Sequence, residues 1–128
     1  MSYIKHKSEE SIEDYLETIL ILSKRLSAVR SIDIATELSY SKPSVSVAMK
    51  NLRNSGYITV SEDGFIQLTK TGLELAESVY DRHTILSDLL IQLGVNPEIA
   101  LADACRIEHD ISPESFDAIK KHLLQHRP

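Results

Sequence analysis

Apolar residues recur at intervals of three and four positions near the start of the chain. The series is Ile12, Tyr15, Leu16, Ile19, Leu22 and Leu26. This spacing puts the apolar side chains on one stripe and predicts an amphipathic helix over residues 11–26. Ser11 is the predicted N-cap, with Asp14 three positions later as in a capping box.

Two shorter helices and a hairpin are predicted next. Ser31 can cap the sequence IDIATELS, and Ser41 with Pro43 opens a helix that extends to about Asn54. Gly56 follows, where a helix C-terminus often needs a left-handed residue. The runs YITVS and FIQLT then flank EDG, which predicts a β-hairpin with a glycine turn.

The rest of the chain is predicted to be helical. Thr69 can cap a long helix that ends at Gly94, and Asn96-Pro97 and Ser112-Pro113 start two more helices. Helix, short helix, turn, helix and hairpin is the order of a winged helix-turn-helix. We therefore predict a mainly α protein: a winged helix-turn-helix DNA-binding domain with a small β-hairpin wing over residues 1–70, then an α-helical domain over residues 71–128.

Acidic residues are absent from the third predicted helix and its surroundings, although the chain as a whole is acidic. Its 128 residues carry a formal net charge of −5, but the window from Leu38 to Ser61 contains Lys42, Lys50 and Arg53 and no Asp or Glu. A local cationic face can bind phosphate even in an acidic protein. Such a window can also be an ordinary solvated face.

The third predicted helix also opens with small polar side chains. Hydroxyls and a lysine at a helix N-terminus allow close approach to a DNA groove, and cations further along suit the phosphate backbone. The candidate DNA-binding residues are Ser41, Lys42, Ser44, Ser46, Lys50 and Arg53. The opposite stripe, predicted to face the core, is Val45, Ala48, Met49 and Leu52. A three-helix unit with a hairpin can instead be a protein-binding module.

Three side chains with metal-binding chemistry share one face of the fifth predicted helix. Cys105, Glu108 and His109 are spaced i, i+3 and i+4, so they are neighbours on the helix surface. A thiolate, a carboxylate and an imidazole could ligate a transition metal, although three ligands do not close a site. The candidates for the remaining ligands are Asp14, Glu17 and His83. Each residue alone also has an ordinary explanation, such as a buried thiol or a capping carboxylate.

Signatures of catalysis and of membrane insertion are missing from the sequence. Cys105 and His109 have no glycine-rich oxyanion turn, and there is no phosphate-binding glycine loop or H-E-x-x-H motif. We therefore expect no enzyme activity and no small-molecule substrate. The apolar runs are short, the first residues contain no apolar signal segment, and a single cysteine fits a reducing compartment. These features predict a cytoplasmic location and no membrane partner.

Four segments follow one another in an order and spacing that is typical of a known family. They are SIEDYLETILIL, IATELSYSKPSVSVAMKNLRNSGYI, IQLTKTGLELAESVYDRH and DACRIEHDIS. Together they resemble the diphtheria-toxin-repressor (DtxR/MntR) family of metal-dependent transcriptional regulators, in its short two-domain form. The resemblance implies that residues 71–128 form a metal-binding and dimerisation domain. It also implies that the homodimer binds palindromic operator DNA and represses metal-uptake genes when Mn(II) or Fe(II) is plentiful. It implies the metal ligands Asp14, Glu17, His83, Cys105, Glu108 and His109, and base approach by Ser41, Pro43 and Ser44.

The chain combines features of two branches of that family. Asp14 and Glu17 follow the manganese-type pattern, whereas Cys105 follows the iron-type pattern, and Val47 replaces a glutamine that can reach DNA in iron-type members. Carboxylates suit Mn(II), and a thiolate favours Fe(II), Co(II) or Zn(II). We expect Mn(II) and Fe(II) in the cell, with Zn(II) or Co(II) possible in vitro.

Two other functions stay open on the sequence. The chain could be a winged-helix regulator with a different effector, whose C-terminal helices only dimerise. It could also be a metallo-enzyme or a metal-storage protein, although the acid-free window over residues 38–61 argues against that class. Metal-dependent DNA binding would separate the leading interpretation from both.

Overall fold

The computed structural model describes residues 7–125, and the side chains of residues 12–125. In chain order the elements are α1 (Lys7–Arg25), α2 (Ser31–Leu38), α3 (Lys42–Asn54), β1 (Ile58–Val60), β2 (Ile66–Leu68), α4 (Lys70–Gln92), α5 (Pro97–Asp110) and α6 (Pro113–Gln125). Every predicted helix and the hairpin are present, so the predicted mainly α fold class is confirmed. Between residues 7 and 125, no helix combines the length and the apolar composition that a membrane span requires.

The chain forms two compact units, which are described separately. The first contains residues 11–78, and the second contains residues 79–125 together with the start of α1 at residues 7–10. The long helix α4 therefore begins in the first unit and ends in the second. The functional boundary near residue 70 stays a prediction.

Three helices and the hairpin enclose the apolar core of the first unit. Leu16 and Ile19 of α1, Ile34 of α2 and Val45 of α3 are completely buried, and Ile58 of β1 is almost so. Leu16 and Ile19 belong to the apolar stripe that predicts α1. Burial of that stripe explains why an amphipathic helix forms there, because most helical stability in proteins comes from tertiary packing.

The hairpin is attached to the segment that precedes α2. Its antiparallel strands pair Ile58 with Leu68 and Val60 with Ile66. The backbone N–H of Ile66 also donates to the carbonyl oxygen of Val29 at 2.8 Å, which forms a bridge on the other edge of β2. The hairpin therefore pairs with a third extended segment, and it is not an isolated ribbon, which would be only marginally stable.

A turn of three residues separates α2 from α3. Ser39 adopts a left-handed conformation with φ of 58°, and the N–H of Tyr40 donates to the carbonyl oxygen of Ala35 at 3.1 Å. Ser41 then caps α3, because its hydroxyl oxygen accepts from the backbone N–H of Ser44 at 3.3 Å. The predicted cap at Ser41 is confirmed, and α3 starts and ends where the sequence predicts.

The residues that follow α3, Gly56 and Tyr57, are in direct contact with the start of α4. Gly56 has φ of +83°, and its N–H donates to the carbonyl oxygen of Arg53 at 3.1 Å. The Thr69 hydroxyl donates to the carbonyl oxygen of Gly56 at 2.7 Å and accepts from the N–H of Gly72 at 3.1 Å. A Cβ atom on Gly72 would lie 2.0 Å from the carbonyl oxygen of Tyr57. Only glycine permits this approach.

The second unit has its own small core and well-defined helix starts. Its buried apolar residues are Ile85 and Leu86 of α4, Ala104 of α5, and Phe116 and Leu123 of α6. Asn96 caps α5 by accepting from the N–H of Glu98 at 2.9 Å, and Ser112 accepts from the N–H of Ser115 at 3.1 Å. The Lys120 ammonium lies 2.9 Å from the Asp81 carboxylate and links α6 to α4.

Two predicted helix starts are wrong. The first helix begins at Lys7, so Ser11 lies within it and is not its N-cap. The apolar stripe begins only at Ile12, but acidic residues are favourable in a first helical turn and allow the helix to start earlier. The second helix has Arg30 as its N-cap, because the Asp33 carboxylate accepts from the Arg30 N–H at 2.9 Å.

We expect Gly72→Ala to lower the free energy of unfolding by about 2 kcal/mol or more, because the added methyl group meets backbone atoms that cannot rotate away. Urea denaturation followed by circular dichroism measures the change. Thr71→Ala, at the preceding exposed position of α4, is the matched control. Equal denaturation midpoints for the two variants would show that the contact does not constrain the fold.

Candidate metal centre and nucleic-acid interface

The buried stripe of α5 ends in a carboxylate. Ala100, Ala104 and Glu108 are spaced four apart, and all three are completely buried. His109 is also buried, and Cys105 is half-buried. Burying a carboxylate is unfavourable unless charges or hydrogen-bond donors compensate it. The position of Glu108 therefore needs a chemical explanation that apolar packing does not provide.

Metal-binding atoms converge around Glu108 in the second unit. One ligand atom each from Cys105, Glu108 and His109 lies within 4.8 Å of the other two. The His109 Nε2 atom lies 3.7 Å from the Glu108 Oε1 atom. His83, on α4, also offers a ring nitrogen within 4.8 Å of a Glu108 oxygen, and its Nε2 atom lies 3.2 Å from the carbonyl oxygen of Leu101.

These donors suit a divalent transition metal. The set contains one thiol, one carboxylate and two imidazoles, which together bind metals such as iron, cobalt and zinc, while carboxylate also suits manganese. A bound cation would also compensate the charge of the buried Glu108 carboxylate. The residues present therefore fit the metal-binding role that the sequence predicts for them.

The two predicted carboxylate ligands of α1 belong to the first unit. Asp14 and Glu17 lie one helical turn apart on the same side of α1, where Asp14 is half-buried and Glu17 is buried. Tyr15, which follows Asp14 in the sequence, packs edge-on against Tyr40 in the turn between α2 and α3. Their ring centroids are 6.0 Å apart. Burial raises the pKa of Tyr15, and Tyr40 and Asp14 raise it further.

The third helix separates core residues from exposed polar residues. Val45, Met49 and Leu52 are buried and Ala48 is partly buried, which confirms the predicted core stripe. All seven predicted DNA-binding residues are exposed: Ser41, Lys42, Pro43, Ser44, Ser46, Lys50 and Arg53. The Ser41 hydroxyl also donates to the Ser44 hydroxyl at 2.8 Å. This exposed side presents hydroxyl groups and Lys42 at the start of the helix, with Lys50 and Arg53 further along.

Two adjacent depressions lie beside this exposed side. One, of about 240 Å³, is lined by Ser31, Ile32, Lys42 and Ser46. The other, of about 220 Å³, is lined by Ser31, Ser46, Met49, Lys50, Arg53 and Val60. The sequence predicts only a capping role for Ser31 and no role for Ile32. Their position at the start of the helix that precedes the turn is the feature of the sequence that places them beside α3.

The turn of the hairpin carries the opposite charge. Glu62 and Asp63 are exposed there, immediately before Gly64. The first unit therefore has cations on α3 and acids at the hairpin turn. Phosphate would be attracted to the first surface and repelled by the second.

Both parts of the chain match known protein families. Residues 7–65 match the iron dependent repressor N-terminal DNA binding domain. Residues 69–127 match the iron dependent repressor metal binding and dimerisation domain. The two matches cover most of the sequence.

Curated relatives agree with these matches. The chain is 37% identical over 117 residues to the transcriptional regulator MntR of Escherichia coli O157:H7, covering 91% of this chain and 76% of that protein. It is 33% identical over 109 residues to the HTH-type transcriptional regulator MntR of Lysinibacillus sphaericus, covering 85% of this chain and 78% of that protein.

Solved structures show the same fold. The manganese regulator SloR superposes with a TM-score of 0.77 at 30% identity, covering 88% of this chain and 53% of that one. The metal-dependent transcriptional regulator MtsR superposes with a TM-score of 0.79 at 27% identity, covering 88% and 53% respectively. The chain thus spans about half the length of these two solved proteins.

The fold, the donor set and the two matched domains define a metal-dependent transcriptional repressor. The chain belongs to the diphtheria-toxin-repressor (DtxR/MntR) family, which confirms the resemblance seen in its motifs. It is therefore a regulator and not an enzyme, its cofactor is Mn(II) or Fe(II), and its partners are operator DNA and a second copy of itself.

We expect Glu108→Gln to remove most of the rise in melting temperature that excess Mn(II) gives the unmodified protein. The amide keeps the size of the side chain but loses the charge that the cation needs, and binding at 100 times the dissociation constant stabilises a protein by about 2.7 kcal/mol. Thermal unfolding at fixed protein concentration measures the rise. Asp110→Asn, an exposed acid on the same helix, is the control and should keep the full rise. An undiminished rise in the Gln variant would contradict a ligand role for Glu108.

Proposed function

We propose that Mn(II) or Fe(II) raises operator affinity by binding six side chains of each subunit. The proposed ligands are Asp14, Glu17, His83, Cys105, Glu108 and His109. The observation that supports this most is the convergence of Cys105, His109 and His83 on the buried carboxylate of Glu108. Asp14 and Glu17 are added by the family pattern and by their shared face on α1.

The proposed ligands come from α1, α4 and α5, so metal occupancy can favour one arrangement of these helices. A ligand shifts a conformational equilibrium only by binding one arrangement better than the others. The metal supplies the positive charge that compensates the ligand carboxylates, and the chain supplies the ligand atoms. Typical coupling between two sites changes affinity by about 5- to 150-fold.

Metal choice in this chain follows from its mixed ligand set. Asp14, Glu17 and Glu108 offer oxygen, which suits Mn(II), whereas Cys105 favours softer ions such as Fe(II), Co(II) and Zn(II). Raw affinity would rank Zn(II) highest, so availability in the cell decides. We propose Mn(II) and Fe(II) as physiological metals, and binding of Zn(II) or Co(II) in vitro. The related ScaR protein, 26% identical, has a solved structure with bound Zn²⁺.

We propose that α3 is the recognition helix and enters the major groove. Ser41, Pro43 and Ser44 at its start would approach base edges, with Ser46 beside them. Lys42, Lys50 and Arg53 would contact phosphates, which carry affinity and little sequence information. Exposure of all seven side chains, and the absence of acids from residues 38–61, support this assignment.

In a dimer, the second copy of the chain would provide a second exposed α3 surface. The second unit exposes large apolar side chains, namely Leu93, Ile99, Leu101, Ile107 and Leu124, as a dimerisation surface requires. A symmetric dimer presents two recognition helices to a palindromic operator whose half-sites lie about one DNA turn or a multiple apart. We therefore propose that residues 1–70 read DNA, that residues 71–128 dimerise and bind metal, and that the protein works in the cytoplasm.

We expect operator affinity to rise by about 5- to 150-fold when Mn(II) or Fe(II) is added to the metal-free protein. Duplexes selected from a random library by the Mn(II)-loaded protein serve as probes, and fluorescence anisotropy measures affinity with Mn(II), Fe(II), Zn(II) or a chelator. Equal affinity in all conditions would refute the metal switch and leave DNA binding intact.

The double variant Glu108→Ala, His109→Ala is the control for that experiment. If these residues hold the metal, the variant should keep low affinity whether or not metal is present. A variant that still binds tightly and ignores metal would support the alternative, a winged-helix regulator with a different effector.

We expect Lys50→Ala to weaken binding to all duplexes alike and to reduce the slope of log affinity against log salt by about 2, because each subunit of the dimer loses one phosphate contact. The side chain is exposed on α3 and offers a charge to phosphate. Lys121→Ala, an exposed lysine of α6, has the same effect on net charge and should leave the slope unchanged. Identical slopes for both variants would contradict the phosphate contact.

A further inference from the structure

An exposed valine stands among the polar side chains of α3. Val47 is 61% exposed, more than any other large apolar side chain between residues 12 and 78. It lies away from the buried residues Val45 and Met49, so it does not support the core. Valine is also a poorer helix former than alanine or lysine. Neither folding nor solubility explains a β-branched apolar residue at this position.

The side chains around Val47 leave its methyl groups accessible. Its neighbours one helical turn away are Pro43, Ser44, Lys50 and Asn51, and all are exposed. Pro43 and Ser44 are short, and the hydroxyl of Ser44 already accepts a hydrogen bond from Ser41 at 2.8 Å. Lys50 is long and flexible enough to turn toward a phosphate. Val47 is thus an apolar projection in the middle of a surface suited to DNA.

The major groove offers one apolar group to such a projection. Adenine, guanine and cytosine present hydrogen-bond donors and acceptors there, whereas thymine adds its C5-methyl group. A valine can make no hydrogen bond to a base edge, but it can exclude water from a thymine methyl group by direct contact. Burying one methyl group changes affinity by about fourfold.

We propose that Val47 is a specificity-determining residue that selects thymine at one position of each operator half-site, through contact with its C5-methyl group. The inference rests on α3 being the recognition helix. It does not depend on which metal the protein binds or on which residues hold it.

Replacing thymine by uracil tests this contact, because the two bases differ only in the C5-methyl group. The Mn(II)-loaded full-length protein is titrated with a selected duplex in which each thymine in turn is replaced by uracil in both half-sites. We expect one position where the replacement lowers affinity by about threefold to tenfold per half-site. With Val47→Ala, the same replacement at that position should have a smaller effect, because the single methyl group of alanine reaches less far toward the base.

Two further variants separate specificity from general binding. Val47→Ile keeps the apolar projection and should retain the loss at that position. Asn54→Ala, an exposed position of α3 outside the proposed DNA-binding residues, should retain it too. Melting temperatures verify folding, which an exposed Val→Ala change in a helix should preserve. The inference would be overturned by a selected sequence without thymine, or by a Val47→Ala protein that loses affinity equally for thymine and uracil duplexes. A protein that stays metal-responsive while showing either result would refute this inference alone.

Discussion

The carboxylate of Glu108 is the constraint on which the metal chemistry of this protein depends. Its side chain is completely buried at the end of a stripe whose other members are alanines. A negative charge in that position is tolerable only with compensation. The metal-binding groups near it in the second unit include the thiol of Cys105 and the imidazoles of His109 and His83. Burial of this carboxylate is energetically unfavourable in the absence of a cation. The same burial makes the carboxylate a strong ligand when a cation is present.

In the first unit, one side of α3 packs in the core and the other side is exposed. Val45, Met49 and Leu52 anchor the helix in the core. Ser41 caps its start, and Gly56 lets the chain reverse at its end. Because these positions are separate from the exposed hydroxyls and cations, residues on the open side can change without loss of the fold. Folding therefore depends on one set of residues of α3, and the proposed DNA binding depends on another set.

Much of this organisation was predictable from local chemistry. The bounds of α3 follow from Ser41, Pro43 and Gly56, which are strong signals of helix start and end. The predicted start of α1 was wrong, because an apolar stripe marks the packed part of a helix and not its first turn. The clustering of Cys105, Glu108 and His109 follows from helical spacing alone.

Other features needed the tertiary structure. The complete burial of Glu108 was not predictable, because α5 buries Ala100 and Ala104, which are a weak apolar signal, while Ile99 and Leu101 are exposed. The proximity of His83 to Glu108 depends on how α4 packs against α5. Ser31 lines the depressions beside α3 because of the way α2 packs in the first unit. Local patterns identify which residues share a helix face, but not which face another helix covers.

The charges of the first unit also have a kinetic consequence. Lys42, Lys50 and Arg53 lie on α3, while Glu62 and Asp63 lie at the hairpin turn. A polyanion attracts the cations of α3 and repels the two acids, which favours encounters in which α3 faces the duplex. Electrostatic steering of this kind raises association rates. The benefit operates over about one Debye length, so it fades as ionic strength rises.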